Sequence, residues 1–376
     1  MKIVFTGGGT GGHFYPIIAV AESVHKVADA EKLLDLELYY YSDAPYDKAA
    51  LFENGIQYRH IYAGKRRVYR SIQNFFDLFK TGIGVLESLG SLFLLYPDVV
   101  FGKGGYASFP VLMAARILGI PVVVHDSDSA PGRVNVWAGR FAKRVAVSFD
   151  EAAEYFPKGK AVLTGQPVRA DLLEKKSEGA HEYLKLDPTV PTILVLGGSL
   201  GAEAINDIII DSLPQLLERY QVIHQTGITN FTEVKNRAEF VLNDREDLKA
   251  RYRPFPFLNS LAMKMSAGAA SLVISRAGSA IFEIAAWGIP AILIPIDESH
   301  GDHQKKNAFN YARHGAGEVI QQGNLSPTIL LSEIKRFYED DVRRRNMIAS
   351  AKAFATPDAA DKIARMLVDI AIAHEK

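Results

Sequence analysis

The chain has no cysteine, which excludes disulfide bridges and thiolate-ligated metal sites and leaves a reducing compartment open to it. It has no charge imbalance either: 43 Lys and Arg residues stand against 43 Asp and Glu. A neutral total gives nucleic acid no bulk attraction, so no nucleic-acid partner is expected and basic character matters only where it is local. No uninterrupted apolar run approaches the roughly 20 residues that cross a bilayer. The first residues lead straight into a strand-like run, without a charged leader and apolar core, so no secretory signal is expected and the cytoplasm is the expected compartment.

What is present is length and glycine in two particular places. At 376 residues and 48% hydrophobic content, the chain exceeds the size at which one core stays single, so two domains are expected. Two glycine-rich loops mark them, Gly7-Gly8-Gly9-Thr10-Gly11-Gly12 and Gly197-Gly198-Ser199-Leu200-Gly201. Each follows a β-branched apolar run, at 2–5 and 192–196, and each opens a helical stretch, with starts expected near Pro16 and Ala202. Glycine lets the backbone turn tightly and approach a ligand, and a helix N-terminus offers unpaired N–H groups with partial positive charge. Both loops therefore have the makings of anion sites.

Apolar runs recur at 36–41, 99–101, 122–124, 145–147 and 161–163, and again at 193–196, 222–224, 272–274, 291–294 and 317–320, with helical stretches and Gly or Pro turns between them. That alternation predicts an α/β protein of two Rossmann-like, doubly wound parallel-sheet domains. The Gln166-Pro167 turn divides them into 1–165 and 166–349. Ile363, Met366, Leu367 and Ile370 recur at helical spacing, so the tail from about 350 to 376 is expected to dock as a helix on the first domain.

Individual residues suggest chemistry. Gly7-x-Gly9-x-x-Gly12 alone matches a dinucleotide fingerprint, but the acids nearest the required ribose position are Glu37 and Asp43, neither well placed. His13, directly after the glycines, is a near-neutral base at a helix start and the candidate catalytic residue. In the second half, Ser199 lies in a loop whose N–H groups suit a phosphate. Arg276 and Gly278, in Ser275-Arg276-Ala277-Gly278-Ser279, suit a diphosphate at a strand's carboxyl end, and Glu283 suits ribose hydroxyls. Asp302-His303-Gln304 with Asn307 reads as a polar sugar-binding loop, without the ligand spacing of a metal site, and no metal is assigned. Lys65, Arg66, Arg67 and Arg70 precede Phe75, Phe76, Phe79, Ile83, Leu86 and Leu89 at helical spacing, a combination suited to an anionic membrane surface. A second basic and aromatic segment, with Trp137 and Phe141, lies within 133–144. Either apolar stripe is equally readable as core.

Five motifs in order, Gly8 to His13, Gly104-Gly105-Tyr106, Gly197-Gly198-Ser199-x-Gly201-Ala202, Ser275 to Gly278 and Gln304-x-x-Asn307-Ala308, resemble the MurG family of GT-B glycosyltransferases, family 28, of peptidoglycan synthesis. The resemblance runs nearly the full chain. It implies two domains facing across a cleft, and inverting transfer of N-acetylglucosamine from UDP-GlcNAc to the C4 hydroxyl of the muramoyl sugar on undecaprenyl diphosphate (lipid I), giving lipid II. It further implies no cofactor and no required metal, a peripheral position on the cytoplasmic face of the cell membrane, and cell-wall synthesis proteins as partners.

By the same resemblance, Thr10, Gly11, Gly12, Gly105, Tyr106, His125, Asp126 and Asn135 lie on the acceptor side, with His13 the general base. Arg169, Ser199, Leu258, Arg276, Gly278, Ser279, Glu283 and Gln304 lie on the UDP-GlcNAc side, Leu258 through backbone contact to uracil. The basic and aromatic stripe from Lys65 matches the region that docks to the membrane. Where the family usually carries His-Glu-Gln-Asn, this chain has His125-Asp126-Ser127-Asp128. Alternatives are a related GT-B transferase acting on diacylglycerol or another polyprenyl lipid, a UDP-GlcNAc 2-epimerase of the same architecture, and a nucleotide-sugar-binding module without catalysis.

Overall fold

The computed structural model describes the chain except Gly9, Leu34, 65–72, 199–200, 298–301 and Lys376, and gives the backbone alone for 73–76 and Glu375. It forms two compact units, Met1–Ala170 with Thr356–Lys376, and Asp171–Ala355. Each is built on one sheet.

The first sheet has seven strands, β1 (Lys2–Thr6), β2 (Glu37–Ser42), β3 (Ile56–His60), β4 (Val99–Gly102), β5 (Val122–Asp126), β6 (Arg144–Val147) and β7 (Ala161–Leu163), in the order β3-β2-β1-β4-β5-β6-β7. The second has six, β8 (Thr192–Leu196), β9 (Gln221–Gln225), β10 (Tyr252–Phe255), β11 (Ala270–Ser275), β12 (Ala291–Leu293) and β13 (Gly317–Val319), in the order β10-β9-β8-β11-β12-β13. Every pairing is parallel. Helices cover both faces, which is why central strands such as β8, Thr-Ile-Leu-Val-Leu, are buried throughout and read as unbroken apolar runs. In each sheet the chain order reverses beside the first strand, at β1/β4 and β8/β11, leaving a crevice at the strands' carboxyl ends where ligands bind in this architecture.

Three expectations need correction. The unit boundary falls after Ala170, not at 165/166, so Arg169 belongs to the first unit. The tail divides at Thr356, not 350: the Asp341–Phe354 helix stays with the second unit, stacking Phe354 on Phe282 at 5.6 Å. Only the Ala359–Glu375 helix returns, placing Ile363, Leu367 and Val368 in one core with Ile3, Phe5, Ile17 and Val24. Thirdly, the first long helix is Gly11–Glu31, five residues longer at its start than expected, with Pro16 inside it. The amide that Pro16 lacks falls in the second turn, where a single missing bond is tolerated, and the N–H groups of His13 and Phe14 both close on the Thr10 carbonyl at 3.1 and 3.2 Å.

Candidate active site

At the β1/β4 switch point, loops from three strands press together. Gly105 has φ +80°, and a Cβ there would sit 2.8 Å from the Gly8 carbonyl oxygen, so only glycine allows the loops after β1 and β4 to pass. The Gly7 carbonyl accepts from both Tyr40 and Ser42 hydroxyls at 2.8 Å, fixing where the glycine loop leaves β1. His13 becomes the third residue of its helix, with Nδ1 3.0 Å from Thr10 Oγ1. When Nδ1–H donates to that oxygen, Nε2 is the ring nitrogen that carries the lone pair. Tyr15, two residues on, lies under the Arg169 guanidinium at 4.4 Å from the ring centre.

The acceptor-side residues implied by the sequence do converge on this edge. Tyr106 follows β4 and donates to Asp43 Oδ2 at 2.6 Å, and burial together with that carboxylate pushes its hydroxyl up to about 12. Asp43, misplaced for a ribose, thus has a partner. His125 and Asp126 end β5, and buried Asn135 donates to the His125 carbonyl at 2.9 Å and to Asp126 Oδ2 at 2.8 Å. Asp126 also accepts from the backbone N–H of Asp128 and Gly132, both at 3.0 Å. His125 is fully buried, and desolvation, aided by the charge of Lys103, holds it well below the ordinary histidine range. Its Nε2–H reaches the Gly165 carbonyl at 3.0 Å.

At β8/β11 the second unit repeats the pattern. A Cβ on Gly201 would lie 2.4 Å from the Thr226 carbonyl, at φ +79°. Arg276 leaves β11 and donates to the Ile294 carbonyl at 2.9 Å; it is half-buried, and desolvation lowers its pKa from the ordinary arginine value. Gly278 and Ser279 lead into the Ala280–Ala286 helix, which carries half-buried Glu283. Asn307 Nδ2 donates to the Ala277 carbonyl at 3.1 Å, tying the His303–Arg313 helix to the same loop. Gln304, on that helix, accepts from Ile296 N–H at 3.2 Å. Leu258, after β10, is buried. Ser199 lies outside the described residues, as do Lys65, Arg66, Arg67 and Arg70 and the side chains of Phe75 and Phe76.

Two residues escaped the sequence reading. Gln225, ending β9, donates through Nε2 to the Gly198 carbonyl at 3.2 Å and accepts Leu258 N–H at 3.3 Å, so one amide joins the glycine loop to the segment after β10. Its signal was a polar pair, His224-Gln225, closing an apolar strand. Lys103 follows β4 and is 2% exposed; a lysine inside a glycine-rich loop was the available clue. In the second aromatic segment Trp137 and Phe141 are half-buried and pack against the first unit's core: Trp137 lies 4.9 Å from Phe109 and from Phe141, and Arg116 covers Phe141 at 5.2 Å.

A glycine loop at the switch point of each of two doubly wound parallel sheets defines a class, and sequence comparison agrees. The models of the glycosyltransferase family 28 N-terminal and C-terminal domains match residues 3–147 and 192–363. The chain belongs to glycosyltransferase family 28: it is a glycosyltransferase with the GT-B fold. More particularly, it is 35% identical to the UDP-N-acetylglucosamine--N-acetylmuramyl-(pentapeptide) pyrophosphoryl-undecaprenol N-acetylglucosamine transferase of Treponema denticola, over 94% of this chain and 93% of that one. The crystal structure of MurG from Acinetobacter baumannii is similar with TM-score 0.73 and 25% identity, covering 98% of this chain and 99% of that one. A UDP-GlcNAc 2-epimerase from Neisseria meningitidis shares the fold alone, with TM-score 0.68 at 13% identity, covering 98% of this chain and 100% of that one.

The buried histidines set an acid limit. His224 is fully buried between Tyr252 OH at 2.9 Å and Asn206 Oδ1 at 3.0 Å, and desolvation lowers its pKa to about 3. Folded His125 and His224 stay neutral where the unfolded chain protonates them, at about 6.5. The unfolded state then binds more protons, so stability falls as pH falls below that value. Each histidine is expected to cost about 1 kcal/mol between pH 6.5 and 5.5. Urea midpoints across that range should show the slope, and His224→Gln should flatten it; equal slopes would show that His224 is already protonated in the folded chain.

Proposed function

We propose that this chain transfers N-acetylglucosamine from UDP-GlcNAc to the C4 hydroxyl of lipid I, with inversion and without a required metal, on the cytoplasmic face of the membrane. The observation that carries this reading is the near full-length 35% identity to a transferase of that name. Inversion requires one in-line displacement. The acceptor O4 forms its bond to the anomeric carbon as the bond to the UDP β-phosphate oxygen breaks, and the O4 proton goes to His13 Nε2. Thr10 Oγ1 lies within hydrogen-bond distance of Nδ1, and donation from Nδ1–H to it is the arrangement in which Nε2 accepts the proton. The leaving diphosphate takes up the negative charge, which the Arg276 guanidinium and the glycine-loop N–H groups after β8 stabilise. Leu258, Glu283 and Gln304 hold base, ribose and sugar, and Gln225 keeps the first of these in register with the glycine loop.

A lipid-borne acceptor calls for a membrane surface, and the Gln73–Leu95 helix offers one. Gly84, Ser88 and Leu92, four apart, are buried, Leu92 completely. Phe79, Ile83, Leu86 and Phe93 form the opposite stripe, and Leu86 and Phe93 are 70% and 67% exposed. Such a face, unlike the packed Leu92 face, suits insertion between lipid headgroups.

Transfer of labelled sugar to a short-chain lipid I analogue, with EDTA present and UDP-glucose and UDP-galactose in parallel, tests the reaction. Product from UDP-GlcNAc is expected, and His13→Ala should lower kcat on the order of 100-fold or more; an unchanged kcat removes His13 as the base. For the membrane face, Leu86→Ser with Phe93→Ser should weaken binding to anionic vesicles about tenfold without lowering the unfolding midpoint. A lowered midpoint with unchanged vesicle binding would make the stripe a packing surface.

A further inference from the structure

Nothing in the reaction above uses Lys103, yet it ranks among the largest fully buried side chains, with 2% exposure. Its backbone N–H donates to the Thr6 carbonyl at 2.8 Å, which puts it at the β1/β4 switch point. Its stem lies against the glycine loop, since a Cβ on Gly7 would sit 3.1 Å from Lys103 Cβ. The ammonium crosses to the loop after β5 and donates to Ser127 Oγ. Asp126 and Asp128 supply opposite charge, while burial lowers the lysine to about 8.

Stability alone gives a poor reason for this arrangement. A buried ion exchanged for an apolar side chain of similar shape is often neutral or stabilising. The Asp126 carboxylate already accepts from Asp128, Gly132 and Asn135, and the lysine's hydrogen bond goes instead to a half-exposed serine. Close by, His125 Nδ1 and Asn135 Oδ1 are buried without a hydrogen-bond partner among the described residues. A Cβ on Gly104, the residue after Lys103, would lie 2.8 Å from Asn135 Nδ2, so these groups share one edge.

We propose that Lys103 is a positioning residue of the acceptor site: its ammonium holds Ser127, and with it the loop after β5, so that Ser127 and Asp128 meet the hydroxyl-bearing sugar of the acceptor. This rests on the transfer reaction proposed above. Both side chains are half-exposed, and a carboxylate beside a hydroxyl suits the recognition of sugar O–H groups. Lys103 acts through the loop and touches no substrate.

The test measures binding of the lipid I analogue, and of UDP, by the full chain and by Lys103→Met, Ser127→Ala and the double variant. Lys103→Met removes the ammonium and keeps the stem. Ser127→Ala leaves every charge in place, so it reports even if the first variant fails to fold. Acceptor affinity is expected to fall about tenfold in Lys103→Met and severalfold in Ser127→Ala, with UDP affinity within about twofold of the parent. The double variant should be no weaker than Lys103→Met, because both changes break one link. Unchanged acceptor affinity in Ser127→Ala, or a parallel loss of UDP affinity, overturns the proposal. Transfer by the parent chain, run alongside, reports separately on the reaction: its absence would sink that reading, while the binding comparison still decides the role of Lys103.

Discussion

The close approach of strand-end loops at the two switch points is the constraint on which both sites depend. Parallel sheets send every strand toward one edge, and the helices that follow begin there with unpaired N–H groups. Those groups can serve a ligand only if the backbones lie close, which a side chain would prevent. Gly105 against the Gly8 carbonyl and Gly201 against the Thr226 carbonyl are two expressions of this in the glycine loops. The placement of His13 in one unit and of Arg276 in the other follows from it.

Around each crowded edge, buried polar side chains lock the loops. In the first unit these are Asn135, Asp126 and Lys103; in the second, Gln225, Asn206 and His224. Burying them costs desolvation that hydrogen bonds must offset, and a neutral histidine or a depressed lysine records that cost. The return is a preorganised site. Catalysis by charge stabilisation depends on donors that need not move when charge develops, so rigidity at these edges is part of the chemistry.

The central strands were legible because helices cover both faces and the strands carry unbroken apolar runs. The two strands that escaped, β3 and β10, are sheet edges. β3 reads Ile-Gln-Tyr-Arg-His, with its inward side alone apolar, and β10 contains Pro254, which an edge tolerates because one side has no partner to bond. The glycine loops, His13, Arg276 and Glu283 were visible as motifs. Lys103 and Gln225 were not, since a single polar residue has no period, and what it does depends on which loop lies opposite. Arg169 was assigned to the second domain by its place after a Pro turn, whereas its stacking on Tyr15 is a contact between residues far apart in the chain. Fold likeness alone is silent on chemistry: a transferase and an epimerase match this backbone almost equally. The full-length sequence likeness separates them.

The division of labour between the two units is the central claim, and UDP affinity measured by calorimetry on His13→Ala and Arg276→Ala beside the parent tests it most directly. The expected result is UDP affinity near the parent's in His13→Ala and a loss of about tenfold or more in Arg276→Ala, with both proteins folded. Lost UDP binding in the His13 variant, with retention in the Arg276 variant, would contradict it.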